Sequence, residues 1–144
     1  MKNRIIIKGK EDELILSVTL KDILLCIENP ISYNWKVLWF EGIGQLDRTI
    51  KEVEDIINHS VNGQFYSFQE LIKLSNNLEQ LLEVVIIGDR DINKLIRYND
   101  DNEMYHKCEY VIELVDSSFW EITSSELKSI QIMKNNFEGV SDIK

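Results

Sequence analysis

The sequence predicts an α+β fold: a single domain over residues 1–144, built on a mostly antiparallel sheet of about five to six strands. Three observations predict it. Two near-continuous apolar runs, Trp35–Phe40 and Leu82–Ile87, are short and rich in aromatic or β-branched residues, as buried central strands are. Between them, two stretches carry apolar residues at helical spacing. Late in the chain, two further strand-like segments meet at Asp116-Ser117, a turn dipeptide.

The elements follow in order. Ile5, Ile6 and Ile7 form a β-branched run, Lys10-Glu11-Asp12 a polar turn, and Leu14, Leu16 and Val18 alternate with Glu13 and Ser17. This pattern predicts an N-terminal hairpin. Thr19 and Asp22 have capping-box spacing, and Leu20, Ile23, Leu24 and Ile27 share a helical face, so a short helix over 20–28 is expected before Asn29-Pro30. In the central strand Trp35, Val37 and Trp39 should point one way and Leu38 and Phe40 the other, with Gly42 and Gly44 ending it.

An amphipathic helix pair should follow. The first helix, 47–59, has its stripe at Leu46, Ile50, Val53 and Ile57. After a turn at Ser60–Gly63, Ser67 and Glu70 form a capping box for a second helix over 68–80, with Phe68, Leu71, Leu74, Leu78 and Leu81 on its apolar side. The strand 82–87 then ends at Gly88-Asp89, and Asp91 caps a helical turn or two. Residues 99–103 read as an exposed acidic loop. Strands over 107–115 and 118–123 make a C-terminal hairpin. A short helix closes the chain, capped by Ser124 or Ser125, with Leu127, Ile130 and Met133 buried and the tail after Asn136 frayed.

Composition narrows the function. Forty-four per cent hydrophobic residues suffice for a core without disulfides, and Cys26 and Cys108 read as small buried hydrophobes. The formal charge is −9, and because residues 1–50 carry seven charges of each sign, all of it falls on 51–144. An acidic surface disfavours nucleic acid and anionic membranes and favours a basic protein partner. No leader-like or membrane-length apolar run is present, so a cytoplasmic location is expected.

Motifs for chemistry are sparse. Glu41-Gly42-Ile43-Gly44 before a helix resembles a phosphate-binding turn, but Asp47 stands where the dinucleotide pattern needs its third glycine. His106 and Cys108 have alternate spacing, which on a strand would share a face, but two ligands do not make a metal site. Glu109 and Glu113 are weighed as an acid–base pair against the solvent side of a half-buried strand, and the second is preferred. No catalytic residue, metal or cofactor is assigned.

Two stretches carry a resemblance to a known group. They are Asn34-Trp35-Lys36-Val37-Leu38-Trp39-Phe40-Glu41-Gly42-Ile43-Gly44 and Tyr110-Val111-Ile112-Glu113-Leu114-Val115-Asp116-Ser117-Ser118-Phe119-Trp120-Glu121-Ile122. In a small, acidic chain rich in Ile, Lys and Asn, they resemble immunity proteins of bacterial polymorphic-toxin and contact-dependent inhibition systems. The resemblance implies a module that binds one toxin domain, often a basic nuclease, and blocks it. The expected contacts are Glu52, Glu54 and Asp55 on the first amphipathic helix, or Asp100, Asp101 and Glu103 in the acidic loop. The alternative is a small enzyme or ligand-binding domain with a pocket near Glu41–Gly44.

Overall fold

The computed structural model describes residues 2–13, 15–44 and 47–143, the side chains of 47–49 excepted. The alternation residue Leu14, the stripe residue Leu46 and the Asp47 carboxylate therefore lie outside the described residues. Seven strands form one open antiparallel sheet, rather than the five to six expected. They are β1 (Asn3–Ile7), β2 (Asn34–Gly44), β3 (Gln64–Tyr66), β4 (Leu78–Asp89), β5 (Tyr110–Val115), β6 (Phe119–Ser124) and β7 (Val140–Asp142), in the spatial order β3-β2-β4-β5-β6-β1-β7. Five α-helices are described: α1 (Leu20–Leu24), α2 (Asp47–Asn58), α3 (Phe68–Asn76), α4 (Asp101–Lys107) and α5 (Leu127–Asn136).

The first face of the sheet carries the main core. Trp35, Val37 and Phe40 of β2, Val84 and Ile86 of β4, and Trp120 and Ile122 of β6 pack there. The side chains above them come from Leu20, Ile23 and Leu24 of α1, Ile57 of α2, Leu71 and Leu74 of α3, and Ile130 and Met133 of α5. Buried indoles need acceptors. Trp35 Nε1 donates to the Pro30 carbonyl (3.0 Å) and Trp120 Nε1 to that of Val18 (2.8 Å). Both expected capping boxes are present, at Thr19/Asp22 and Ser67/Glu70.

The register of β2 corrects the expected facing. A bulge between Val37 and Trp39 puts Leu38 out of step, so Phe40 joins Trp35 and Val37 in the main core and Trp39 turns outward. One extra residue in a strand reverses every side chain beyond it.

The N-terminal hairpin does not form. Residues 15–19 form no strand: Val18 is buried with its carbonyl accepting from Trp120 Nε1, and both edges of β1 are taken by β6 and β7. β7 occupies residues expected to fray. The helix pair is split by β3, which pairs with Trp35–Val37. The second helix stops at Asn76, four residues short of the expected end, because Leu78 and Leu81 pair with Gly44 and Gly42 and lengthen β4. Pairing with the eleven-residue β2 outweighs helical spacing here. The acidic loop is helical from Asp101: Asp100 caps it, and acids in its first turn suit the helix dipole. Only Ile92–Lys94 forms a 3-10 turn after Asp91, whose carboxylate accepts the Asn93 N–H. α5 starts after Glu126, with Ser124 accepting the Glu126 N–H at 2.9 Å, and Leu127 is exposed rather than buried.

Beyond Val37 no strand of the described residues lies beside the outer edge of β2, and α2 fills the gap. Asn58 accepts the Phe40 N–H and donates to the Phe40 carbonyl, both at 2.9 Å, and Glu54 accepts the Gly42 N–H at 2.7 Å. Two side chains one helical turn apart thus satisfy an edge that would otherwise template aggregation.

Candidate functional site

The second face of the sheet is covered at one end only. There the segment 90–108 folds over Leu38, Ile87 and Val111 with Leu95, Met104 and Cys108, flanked by Val85, Tyr98 and Tyr105. The buried Asp89 carboxylate pins this cover by accepting the N–H groups of Asp91 (2.8 Å) and Glu109 (3.0 Å), and Arg90 bonds Glu109 at 2.7 Å. Arg97 donates to the carbonyls of Ile57 (2.9 Å) and Ser60 (3.0 Å), tying the same segment to the C-terminal end of α2.

The other end of this face emerges from that cover, with Val85 and Glu113 at its edge. Directly opposed residues share a face, so one row runs Trp39, Val85, Glu113, Glu121 and Ile6 across β2, β4, β5, β6 and β1. On the same face Glu41 opposes Glu83, and Val115 opposes Phe119. The half-face therefore holds two like-charge cross-strand pairs, Glu41–Glu83 and Glu113–Glu121. Trp39 is 37% exposed at its margin, and Ile43 beyond it is 43% exposed.

The electrostatics reflect crowding. Burial, a hydrogen bond with Asp116 and the Glu41 charge hold the Glu83 carboxyl above the usual range. Burial pushes Glu113 up to about 7, with Glu121 and Asp101 adding repulsion and Tyr105 and Arg4 partly offsetting it. Glu121 differs, because Arg4 Nη2 meets its Oε2 at 3.0 Å. The same guanidinium lies 4.2 Å from the centroid of the Tyr105 ring. Trp39 Nε1 donates to Glu41 at 2.9 Å, which leaves the indole lying beside the acids.

The expected partner residues fall elsewhere. Glu52 and Asp55 are exposed on α2, on the first-face side of the sheet; Glu54 of that helix is half-buried and engaged with Gly42. Asp100 caps α4 by accepting the Asn102 N–H, Asp101 is exposed in the first turn, and Glu103 pairs with Lys107 at 3.0 Å. α2 packs into the main core and α4 onto the second face, so the two groups lie on opposite sides of the sheet and form no common surface. Sequence reasoning missed Glu41, Glu83 and Glu121 as a group with Glu113. The signal was present in part. A three-residue turn at 116–118 places 115 opposite 119, and hence Glu113 opposite Glu121.

The second face also overturns the solvent-side reading of β5. Val111 is fully buried there, and Glu109 precedes the strand, paired with Arg90. His106 sits in the last turn of α4 and Cys108 at its C-cap, so they share no strand face. Burial pushes the Cys108 thiol up to about 11, the opposite of nucleophile activation. Near Glu41–Gly44 there is an open depression lined by Gly42, Gly44, Ile50, Lys51 and Glu54. Close packing accounts for its glycines: a Cβ on Gly44 would stand 2.4 Å from Ile50, and one on Gly42 2.9 Å from Leu78. Among the described residues no group of three His, Cys, Asp or Glu side chains is placed to hold a metal ion. No helix of the described residues is long and apolar enough to cross a membrane. Comparison with protein-family models, with curated proteins and with solved structures returns no match.

Proposed function

We propose that this chain is an acidic protein-binding module, of the immunity or inhibitor type, that neutralises a basic toxin domain in the cytoplasm. The contact surface in this reading is the open half of the second sheet face, not the helix and loop acids read from sequence. One observation carries it. Glu41 opposes Glu83 on the end of the second face that emerges from the α4 cover, and at the edge of that cover Glu113, beneath Tyr105, opposes Glu121. Like charges directly opposed destabilise a sheet, so the isolated chain gains nothing from this arrangement. A partner bearing Lys or Arg would relieve the Glu41–Glu83 pair, and Trp39 supplies an aromatic anchor at the margin.

The test is calorimetric binding to the product of the adjacent gene at low and high salt. Tight binding is expected, weakened by salt and by at least about tenfold in a Glu41→Lys, Glu83→Lys double variant. Absence of binding, or binding indifferent to that charge reversal, overturns the reading. The enzyme or ligand-site alternative near Gly42–Gly44 gains no support from the packed glycines.

A further inference from the structure

The carboxylate of Glu113 occupies a position that its neighbours fit poorly when it is charged. Its Oε1 is buried and, among the described residues, has no hydrogen-bond partner; the same holds for Arg4 Nε. From β6, Glu121 faces it directly. From β1, Arg4 is the facing cation, but its Nη2 is committed to Glu121 at 3.0 Å and its plane to the Tyr105 ring. From α4, Tyr105 reaches Glu113 and Asp101 adds a further negative charge; Glu103, His106 and Lys107 of that helix are exposed. From β4 the directly opposed neighbour is the apolar Val85, and the Glu83 carboxylate lies diagonally beyond it on the same face.

β5 is held between β4 and β6 and cannot yield, whereas the cover can. α4 is seven residues long and buries one side chain fully, Met104. Lifting it exposes Met104 and the apolar side chains of Ile87, Val111 and Cys108 beneath, a cost set against that of holding an unpaired carboxylate away from water. We propose that Glu113 is a proton-operated latch for α4: when protonated it lets the helix lie on the sheet, and when ionised it lifts the helix away. Water reaches the carboxylate once Tyr105 withdraws. The titration of Glu113 near 7 puts this transition close to neutrality. With α4 lifted, Ile87, Val111 and Cys108 are uncovered and the open half-face extends along the sheet. The latch is a property of the isolated chain and stands or falls independently of the partner proposed above.

Hydrogen–deuterium exchange of the full chain tests it, read at about pH 6 and about pH 8.5 and corrected for the intrinsic pH dependence of amide exchange. In the native protein, protection of amides 104–108 should fall at least about tenfold between the two pH values, relative to amides 84–88 of β4. Glu113→Gln should keep the low-pH protection at both. His106 remains in that variant, so its own titration cancels from the comparison. Glu121→Gln frees Arg4 for Glu113 and should likewise hold α4 down at high pH, which serves if the first variant fails to fold. Equal protection of native α4 at both pH values overturns the latch, as does a variant that loses protection as the native chain does.

Discussion

Trp35 and Trp39 lie four residues apart on β2 and have opposite fates. Trp35 is 1% exposed, with its ring against Gly88, where an added Cβ would come within 2.3 Å. Trp39 is 37% exposed and bonds a glutamate. The bulge at Leu38 makes the difference, and it separates two faces of different character. The first face is sealed by four helices, and its buried polar groups are matched, as with Tyr110 and Ser129 at 2.8 Å. The second is half covered, carries opposed carboxylates and retains unmatched polar atoms. Stability is concentrated on one side of the sheet, and the other side is left to chemistry that stability alone would not choose.

The contrast can be broken from either side. The largest effect is expected from Trp35→Ala, which empties a full indole from the sealed face and should cost about 3–5 kcal/mol in urea unfolding. A loss under about 1 kcal/mol would mean the face is loosely packed. The opposite sign is expected for Glu113→Gln. The folded chain holds the Glu113 proton up to about pH 7, while the unfolded chain releases it near the ordinary value of 4.5. Native stability therefore falls as pH rises through that window and stays lowered above it. The glutamine removes the penalty, so the variant should gain up to about 3 kcal/mol at pH 8 and nothing below about pH 4. A gain equal at both pH values would sink the assignment of that penalty to ionisation. The smallest effect should come from Trp39→Ala, within about 0.5 kcal/mol in stability. A cost of several kcal/mol would show that Trp39 is structural and not a surface anchor.

Much of the fold was legible where local rules and the sheet agreed. The Thr19 and Ser67 caps, the β2 and β4 cores, the Asp116–Ser117 turn and the buried cysteines all follow from short-range pattern. The rest depended on pairing across distance. Ile5–Ile7 reads as half of a hairpin, but its partners are residues 120–122 and 140–142, and no local signal marks them. Leu78 and Leu81 continue a helical stripe, yet β2 is long enough to recruit them. The candidate face was illegible for a similar reason. Glu41, Glu83, Glu113 and Glu121 are scattered over four strands, and only strand order brings them together. The acids that cluster in sequence, at 52–55 and 100–103, serve in part to seal β2 and to cap α4.

The place of β1 has a consequence for how the chain is made. Both strands that flank it are synthesised over a hundred residues later, beginning at Phe119. At roughly 5–20 residues per second, Ile5 and Ile7 wait on the order of ten seconds for their neighbours. Through that interval the β2–β4 region can assemble, while β1 stays an unpaired, sticky segment at the ribosome surface. The sheet is therefore completed last around the strand that, of the seven described, is made first.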